Sequence, residues 1–236
     1  MKVAVVGAGN LGRAIIKNAA RKVEVVAVKR RPEKLENAEV TTKIEDIGDA
    51  DLVLIALKPD VFRRNIKRIG ELAGDTPVVS FAAGVKLAEM VKYIRHPHRA
   101  MTDLAIERRS LVACYPPETM KLLSFLDAEF LECESEDELD AMTAYIGSSP
   151  AILSYLLHAM VLAALKDGIR YRKGIRIASQ AFRSAAWLYE NYGLERVTEM
   201  VATPGGTTAE GILNLRPAEK VLMDAMLSTS ARARGI

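Results

Sequence analysis

The sequence is poor in the residues that build disulfides and metal sites. Of 236 residues, two are cysteine (Cys114 and Cys133) and three are histidine (His96, His98 and His158). Two cysteines exclude a disulfide framework and read as ordinary residues of a reducing compartment. The histidines have no metal-ligand spacing with the cysteines, so no metal is expected. Charge of one sign is also missing. With 33 basic and 30 acidic residues the net charge is +3, which gives no argument for nucleic acid. Nor is there a long unbroken apolar run. The longest, 151–165, is interrupted by His158 and is short for a bilayer crossing, so no membrane span is expected. The chain opens on a strand (2–6) with no signal-peptide pattern, and a cytoplasmic location follows.

What is present is a core-forming composition, 50% hydrophobic and 27% charged, in a chain long enough for one large or two smaller domains. Val3-Ala4-Val5-Val6 reads as a buried strand, followed at once by Gly7-Ala8-Gly9-Asn10-Leu11-Gly12 and a helix with Ile15, Ile16 and Ala19 on its inner face. Strand, G-x-G-x-x-G and helix in that order are the context of a dinucleotide-binding loop. Gly7 makes the tight turn, Gly9 lets a pyrophosphate approach the backbone, and Gly12 lets helix and strand pack closely. A second strand, 23–28, ends in Lys29-Arg30-Arg31. Three cations suit a 2′-phosphate and cannot accept a bond from a 2′-hydroxyl, which favours NADP(H) over NAD(H). The bland alternative is a solvated basic turn before Pro32.

The alternation continues with a strand at 38–41, a short helix at 43–47 and a strand at 51–57 that runs through Leu57 into Lys58-Pro59. A helix follows at 60–72, with Val61, Ile66, Ile69 and Leu72 facing inward. After a strand at 77–80 comes Phe81-Ala82-Ala83-Gly84-Val85. This predicts an α/β fold: a mostly parallel, Rossmann-type sheet with helices on both faces. The loops at Gly7, Lys29, Lys58 and Ala82 leave strands at their carboxyl ends and should cluster around one cofactor. Strands at 110–114 and 129–131 and a helix at 117–125 complete this half. The acidic stretch 132–140 reads as a solvated face.

From residue 137 strand signals vanish. Gly147-Ser148-Ser149-Pro150 reads as a chain break, with Ser148 or Ser149 capping the next helix. Two long helices follow, 151–166 and 173–191. The first is apolar nearly all round, so a second subunit should cover it. The stretch 194–201 leads into Pro204-Gly205-Gly206-Thr207-Thr208 and a helix at 209–215, and an amphipathic helix at 217–234 ends the chain. In that turn Pro204 halts the preceding helix and the glycines admit a close approach. Thr207 and Thr208 stand where a helix start offers N–H groups to an anion. Read locally, this is a carboxylate pocket or a capped helical corner.

Thr203-Pro204-Gly205-Gly206-Thr207-Thr208 closely resembles the signature of pyrroline-5-carboxylate reductases. The resemblance extends to Ala56-Leu57-Lys58-Pro59, to Ser80-Phe81-Ala82-Ala83-Gly84-Val85 and to Gly147-Ser148-Ser149-Pro150-Ala151, where Ser149 replaces a glycine. Arg99-Ala100-Met101-Thr102-Asp103 departs from the family's Arg-x-Met-Pro-Asn at its last two positions. The resemblance implies a dinucleotide-binding domain (1–145) and an all-helical dimerisation and substrate domain (146–236). It implies reduction of 1-pyrroline-5-carboxylate, a cyclic imine, to proline by NADPH. Lys58, Ala82 and Ala83 would line the cofactor's path. Gly205, Gly206 and Thr207 would hold the substrate carboxylate and Thr208 the ring nitrogen, while Ser148, Ser149, Glu190 and Asp103 would lie near the nicotinamide or substrate. The assembly would be a homodimer or a larger oligomer built on dimers. Asp103, a carboxylate near a substrate carboxylate, and Ser149 keep open a reductase of another imine or 2-oxo acid. A dinucleotide-binding scaffold without catalysis is the alternative of a different class.

Overall fold

Apolar strands alternate with amphipathic helices through the first half of the chain, and the backbone follows that pattern closely. The computed structural model describes residues 1–235. β1 (Lys2–Val6), α1 (Asn10–Ala19), β2 (Glu24–Val28) and β3 (Glu39–Thr41) are followed by a 3-10 turn, Ile44–Asp49. Then come β4 (Leu52–Ile55), α2 (Pro59–Ala73), β5 (Val78–Ser80), α3 (Leu87–Met90) and β6 (Pro97–Met101). A second 3-10 turn, Leu104–Glu107, precedes β7 (Leu111–Tyr115), α4 (Thr119–Leu122) and β8 (Glu129–Glu132). The strands form one sheet in the order β3-β2-β1-β4-β5-β6-β7-β8, parallel throughout except between β6 and β7. The order reverses direction at β1, so the loop after β1 lies at the topological switch point where such sheets bind ligands.

Strand periodicity of two divides the core into two layers. Val3 and Val5 pack with Ile15, Ile16 and Ala19 of α1 on one face. Ala4 and Val6 pack with Phe62, Ile66 and Ile69 of α2 on the other. In α2 the fully buried positions include Phe62 and Ala73, while Val61 and Leu72, expected inside, are only half-buried. The helix expected at 117–125 is confined to α4, since Pro116 and Pro117 donate no bonds and Leu123 and Leu126 turn into the core.

α5 (Glu136–Met142) is capped by Ser135, whose hydroxyl accepts from the Glu138 N–H. The break expected at 147–150 is absent. A π-helical turn, Thr143–Ser148, joins α5 to α6 (Ser149–Lys166), so neither Ser148 nor Ser149 acts as a cap. The wider turn makes room for Pro150, whose ring would clash with a regular helical carbonyl. Joined in this way, Glu136–Lys166 is long and apolar enough, by length and composition, to cross a membrane, contrary to the expectation from 151–165 alone. Length and composition are shared by helices that bury themselves in a partner.

α7 (Tyr171–Val201) contains one non-helical residue, Gly193, at φ 72°. α8 (Thr207–Arg234) is a single helix, where two were expected on either side of Pro217. A mid-helix proline costs about 3 kcal/mol, and here the turn it interrupts is exposed within the single chain. The chain divides into two compact units: 1–148 together with the chain from Thr229 onward, and Ser149–Ser228.

Candidate active site

The three glycines of the first loop meet three different constraints. Gly7 donates its N–H to the Val28 carbonyl (2.9 Å) and sits at φ +101°. A Cβ there would lie 2.8 Å from the Ala56 carbonyl oxygen, and at Gly12 it would lie 1.9 Å from the Gly7 carbonyl oxygen. Gly9 has nothing within 4 Å of such an atom. Its lack of a side chain therefore leaves open space at the start of α1. Gly9 caps that helix without a side-chain bond, and the first turn holds no acidic residue. The N–H groups of Asn10 and Leu11 thus face a position suited to a phosphate.

Lys29 follows β2 directly and pairs with Glu33. Arg13, in the first turns of α1, folds back across the glycine loop. Its Nε donates to the Ala8 carbonyl (3.2 Å), and its terminal nitrogen reaches both oxygens of Glu33 at 2.7 Å. The hydrogen bonds from Lys29 and then Arg13 hold the Glu33 carboxyl below the usual carboxylate range. Arg30 and Arg31 are exposed and make no ion pair among the described residues. Beside this cluster an open cavity of about 300 Å³ is lined by Asn10, Arg13, Lys17, Leu35 and Leu104.

The next loops leave the same carboxyl edge. Leu57 backs Gly7; exposed Lys58 begins α2, where Pro59 suits the first turn. Ala82 is buried and donates its N–H to the Ser80 hydroxyl (3.2 Å), with half-buried Ala83 following. At the end of β6, buried Thr102 donates its hydroxyl to the Leu111 carbonyl (2.9 Å). Asp103 accepts from the Ala105 N–H (2.7 Å) and the Ser110 hydroxyl (3.0 Å). It caps the 3-10 turn Leu104–Glu107, so its carboxylate is tied to its own loop. Gly147 lies against Met101, 3.5 Å from its sulfur as measured from an added Cβ, which sets the π-helical turn and Ser148 beside the end of β6.

A buried charge network holds that turn. Arg99 in β6, 2% exposed at its side chain, donates to Glu136 (2.6 Å) and to Asp140 (2.6 Å), itself 3% exposed. Lys86 reaches Asp140 (2.6 Å) and Asp137 (2.7 Å), and Glu136 also accepts from the Leu87 N–H (2.6 Å). Hydrogen bonds to Asp137 and Asp140 hold Lys86 above the ordinary lysine range. The acidic stretch 132–140, read from sequence as a solvated face, is therefore half buried. Its charges are drawn inward by an arginine that sequence spacing does not connect to it. One sign of Glu33 was available in the sequence: it stands about twenty residues beyond Gly12, where a dinucleotide motif carries its acidic residue.

The second unit carries Ser149, Glu190 and the turn between α7 and α8. Gly205 lies at φ +70°, and a Cβ on Gly206 would fall 2.4 Å from the Thr203 hydroxyl. The Gly206 N–H donates to the Thr203 carbonyl (2.9 Å). Thr207 opens α8 as expected, exposed, with Thr208 half-buried behind it. Glu190 is exposed three residues before Gly193.

Residues 136–236 match the family described as pyrroline-5-carboxylate reductase dimerisation, and residues 2–84 match that described as NADP oxidoreductase, coenzyme F420-dependent. Pyrroline-5-carboxylate reductases from Thermus thermophilus and Methanosarcina acetivorans are similar over nearly the full length of both chains. The first is 28% identical over 98% of this chain and 97% of its own, the second 25% over 99% and 97%. That of Kluyveromyces lactis is 29% identical over 70% of this chain and 62% of its own.

Residues 136–236 carry the pyrroline-5-carboxylate reductase dimerisation domain, and the chain as a whole is similar to pyrroline-5-carboxylate reductases.

The fold agrees. The structure of the Plasmodium falciparum pyrroline carboxylate reductase with NADP bound superposes with a TM-score of 0.89 at 15% identity, covering 100% of this chain and 97% of that one. The Streptococcus pyogenes 1-pyrroline-5-carboxylate reductase gives 0.85 at 23% identity, over 100% and 99%. The dimerisation match over 136–236 makes the protein a homo-oligomer and accounts for the exposed helices of the second unit. In α6 only Val161 is buried, while Tyr155, Leu156, Met160, Leu162 and Leu165 stand exposed.

Proposed function

We propose that this chain reduces 1-pyrroline-5-carboxylate to L-proline with NADPH, as the last reductive step to proline. The observation that carries the reading is the full-length relationship to reductases of that name, 28% identical across 98% of the chain. The residues present fit the cofactor. Gly9 leaves the space a Cβ would fill, and the uncapped start of α1 takes the pyrophosphate. Lys29, Arg30 and Arg31 take the 2′-phosphate. Lys58, Ala82 and Ala83 line the path toward the nicotinamide. When bound, NADPH supplies the hydride that reduces the imine carbon.

The chain's own work is binding and orientation. The N–H groups around Gly205, Gly206 and Thr207, at the start of α8, hold the substrate carboxylate. The Thr208 hydroxyl bonds the ring nitrogen. A protonated imine is already electrophilic, so no strong general acid is required. Asp103 and Ser149 gave the reasons to consider another imine or a 2-oxo acid; the bonds of the Asp103 carboxylate to Ala105 and Ser110 support the imine reading. The oligomer is a homodimer or is built on dimers. Two free, buried cysteines suit a cytoplasmic enzyme.

The test is oxidation of NADPH by the purified protein with 1-pyrroline-5-carboxylate, run beside NADH. Robust turnover is expected, and Thr208→Ala should lower it about tenfold to a hundredfold with NADPH affinity kept. Absence of turnover in a protein that still binds NADPH would overturn the assignment of substrate.

A further inference from the structure

We infer that Glu33 competes with the cofactor's 2′-phosphate for Lys29 and Arg13, and so sets how strongly the enzyme prefers NADPH over NADH. The inference rests on the dinucleotide reading above and concerns a residue that reading does not use.

Lys29 and Arg13 are the two cations held in place around the glycine loop. Lys29 is 13% exposed at its side chain, and Arg13 is anchored by its bond to the Ala8 carbonyl. Both point at one carboxylate. Glu33 accepts from Lys29 and, through both oxygens, from Arg13. Arg30 and Arg31, although closer in sequence to the end of β2, are exposed and free of ion pairs among the described residues. The basic turn is thus partly neutralised from within before any ligand arrives.

Glu33 itself is exposed on a segment without regular structure. It lies in an irregular stretch between β2 and β3, and its side chain is 44% exposed. Its position about twenty residues beyond Gly12 is where a dinucleotide site of this type places an acidic acceptor for a ribose 2′-hydroxyl. The two cofactors therefore meet this carboxylate with opposite signs. A 2′-hydroxyl donates a bond to it. A 2′-phosphate, doubly charged and accepting only, needs the cations that Glu33 occupies and is repelled by Glu33 if it stays. NADPH binds only as Glu33 gives up Lys29 and Arg13; NADH binds with the ion pairs kept.

The experiment compares full-length wild type with Glu33→Gln. Dissociation constants for NADPH and NADH are read from nicotinamide fluorescence. Adenosine 2′,5′-bisphosphate, which carries the 2′-phosphate without a nicotinamide, is titrated by calorimetry. Releasing two charge pairs of this exposure should tighten NADPH and the bisphosphate by about three- to thirtyfold. NADH affinity should fall or stay level, and Glu33→Asp, with a shorter reach, should lie between. Unchanged or weaker NADPH and bisphosphate binding in Glu33→Gln, with wild type binding both, would overturn the competition alone. If wild type bound neither ligand, the dinucleotide reading would fall with it.

Discussion

At the scale of single residues, Gly9 and Gly12 separate binding from folding. An alanine at 12 would drive its Cβ to 1.9 Å from the Gly7 carbonyl oxygen, a backbone atom with no rotamer to yield. Relieving that contact means moving α1 from the sheet, at a cost of about 2–4 kcal/mol. An alanine at 9 meets nothing in the protein. Gly9→Ala should therefore keep the thermal midpoint of the wild type while NADPH affinity falls at least about tenfold. Gly12→Ala should lower the midpoint by several degrees, as measured by calorimetry without ligand. Equal NADPH affinity in wild type and Gly9→Ala would mean that the pyrophosphate does not cross that residue. These glycines were legible in the sequence because a backbone requirement is written directly in residue type. Asp103 and Glu33 were legible only as charges. What each one holds depends on which loop folds against it: Ser110 in one case, Arg13 in the other.

At the scale of elements, the strands and the helices between them could be read from apolar spacing, because one buried face imposes one period. The joints could not. Gly147-Ser148-Ser149-Pro150 has the composition of a break, yet the backbone passes through it as a π-helical turn pinned to β6 by Arg99 and its carboxylates. Tertiary contacts override the local signal there. The network predicts unequal roles for two aspartates three residues apart. Asp140 is almost fully buried between Arg99 and Lys86, whereas Asp137 is 85% exposed. Asp140→Asn leaves a buried guanidinium short of one counter-charge and should cost about 3–5 kcal/mol in urea unfolding. Asp137→Asn should leave the urea midpoint unchanged within error. Equal effects would mean that water reaches Asp140 and that α5 is held by packing alone.

At the scale of the whole molecule, the second unit has too little interior to stand alone. Among its described residues only Val161, Gly174 and Ala178 are buried, where α6 and α7 cross closely; on α7 and α8, Trp187, Leu194, Leu213 and Leu215 are exposed. The all-round apolar pattern of 151–166 announced this in the sequence, because a helix without a polar face must find cover on every side. Two covers are conceivable by composition, a bilayer or a second copy of the chain, and the dimerisation match over 136–236 selects the copy. Folding and association are then one event, and stability depends on protein concentration. Each tenfold rise in concentration adds about 1.4 kcal/mol per dimer, or about 1–2 °C in the midpoint for a dimer of this size. Scanning calorimetry over a hundredfold range should show that climb. Sedimentation should find no folded monomer, and Leu156→Glu, a charge on the exposed face of α6, should drive the protein to aggregate or dissociate. A midpoint independent of concentration, with a monomer in sedimentation, would mean that the exposed faces of α6, α7 and α8 need no partner.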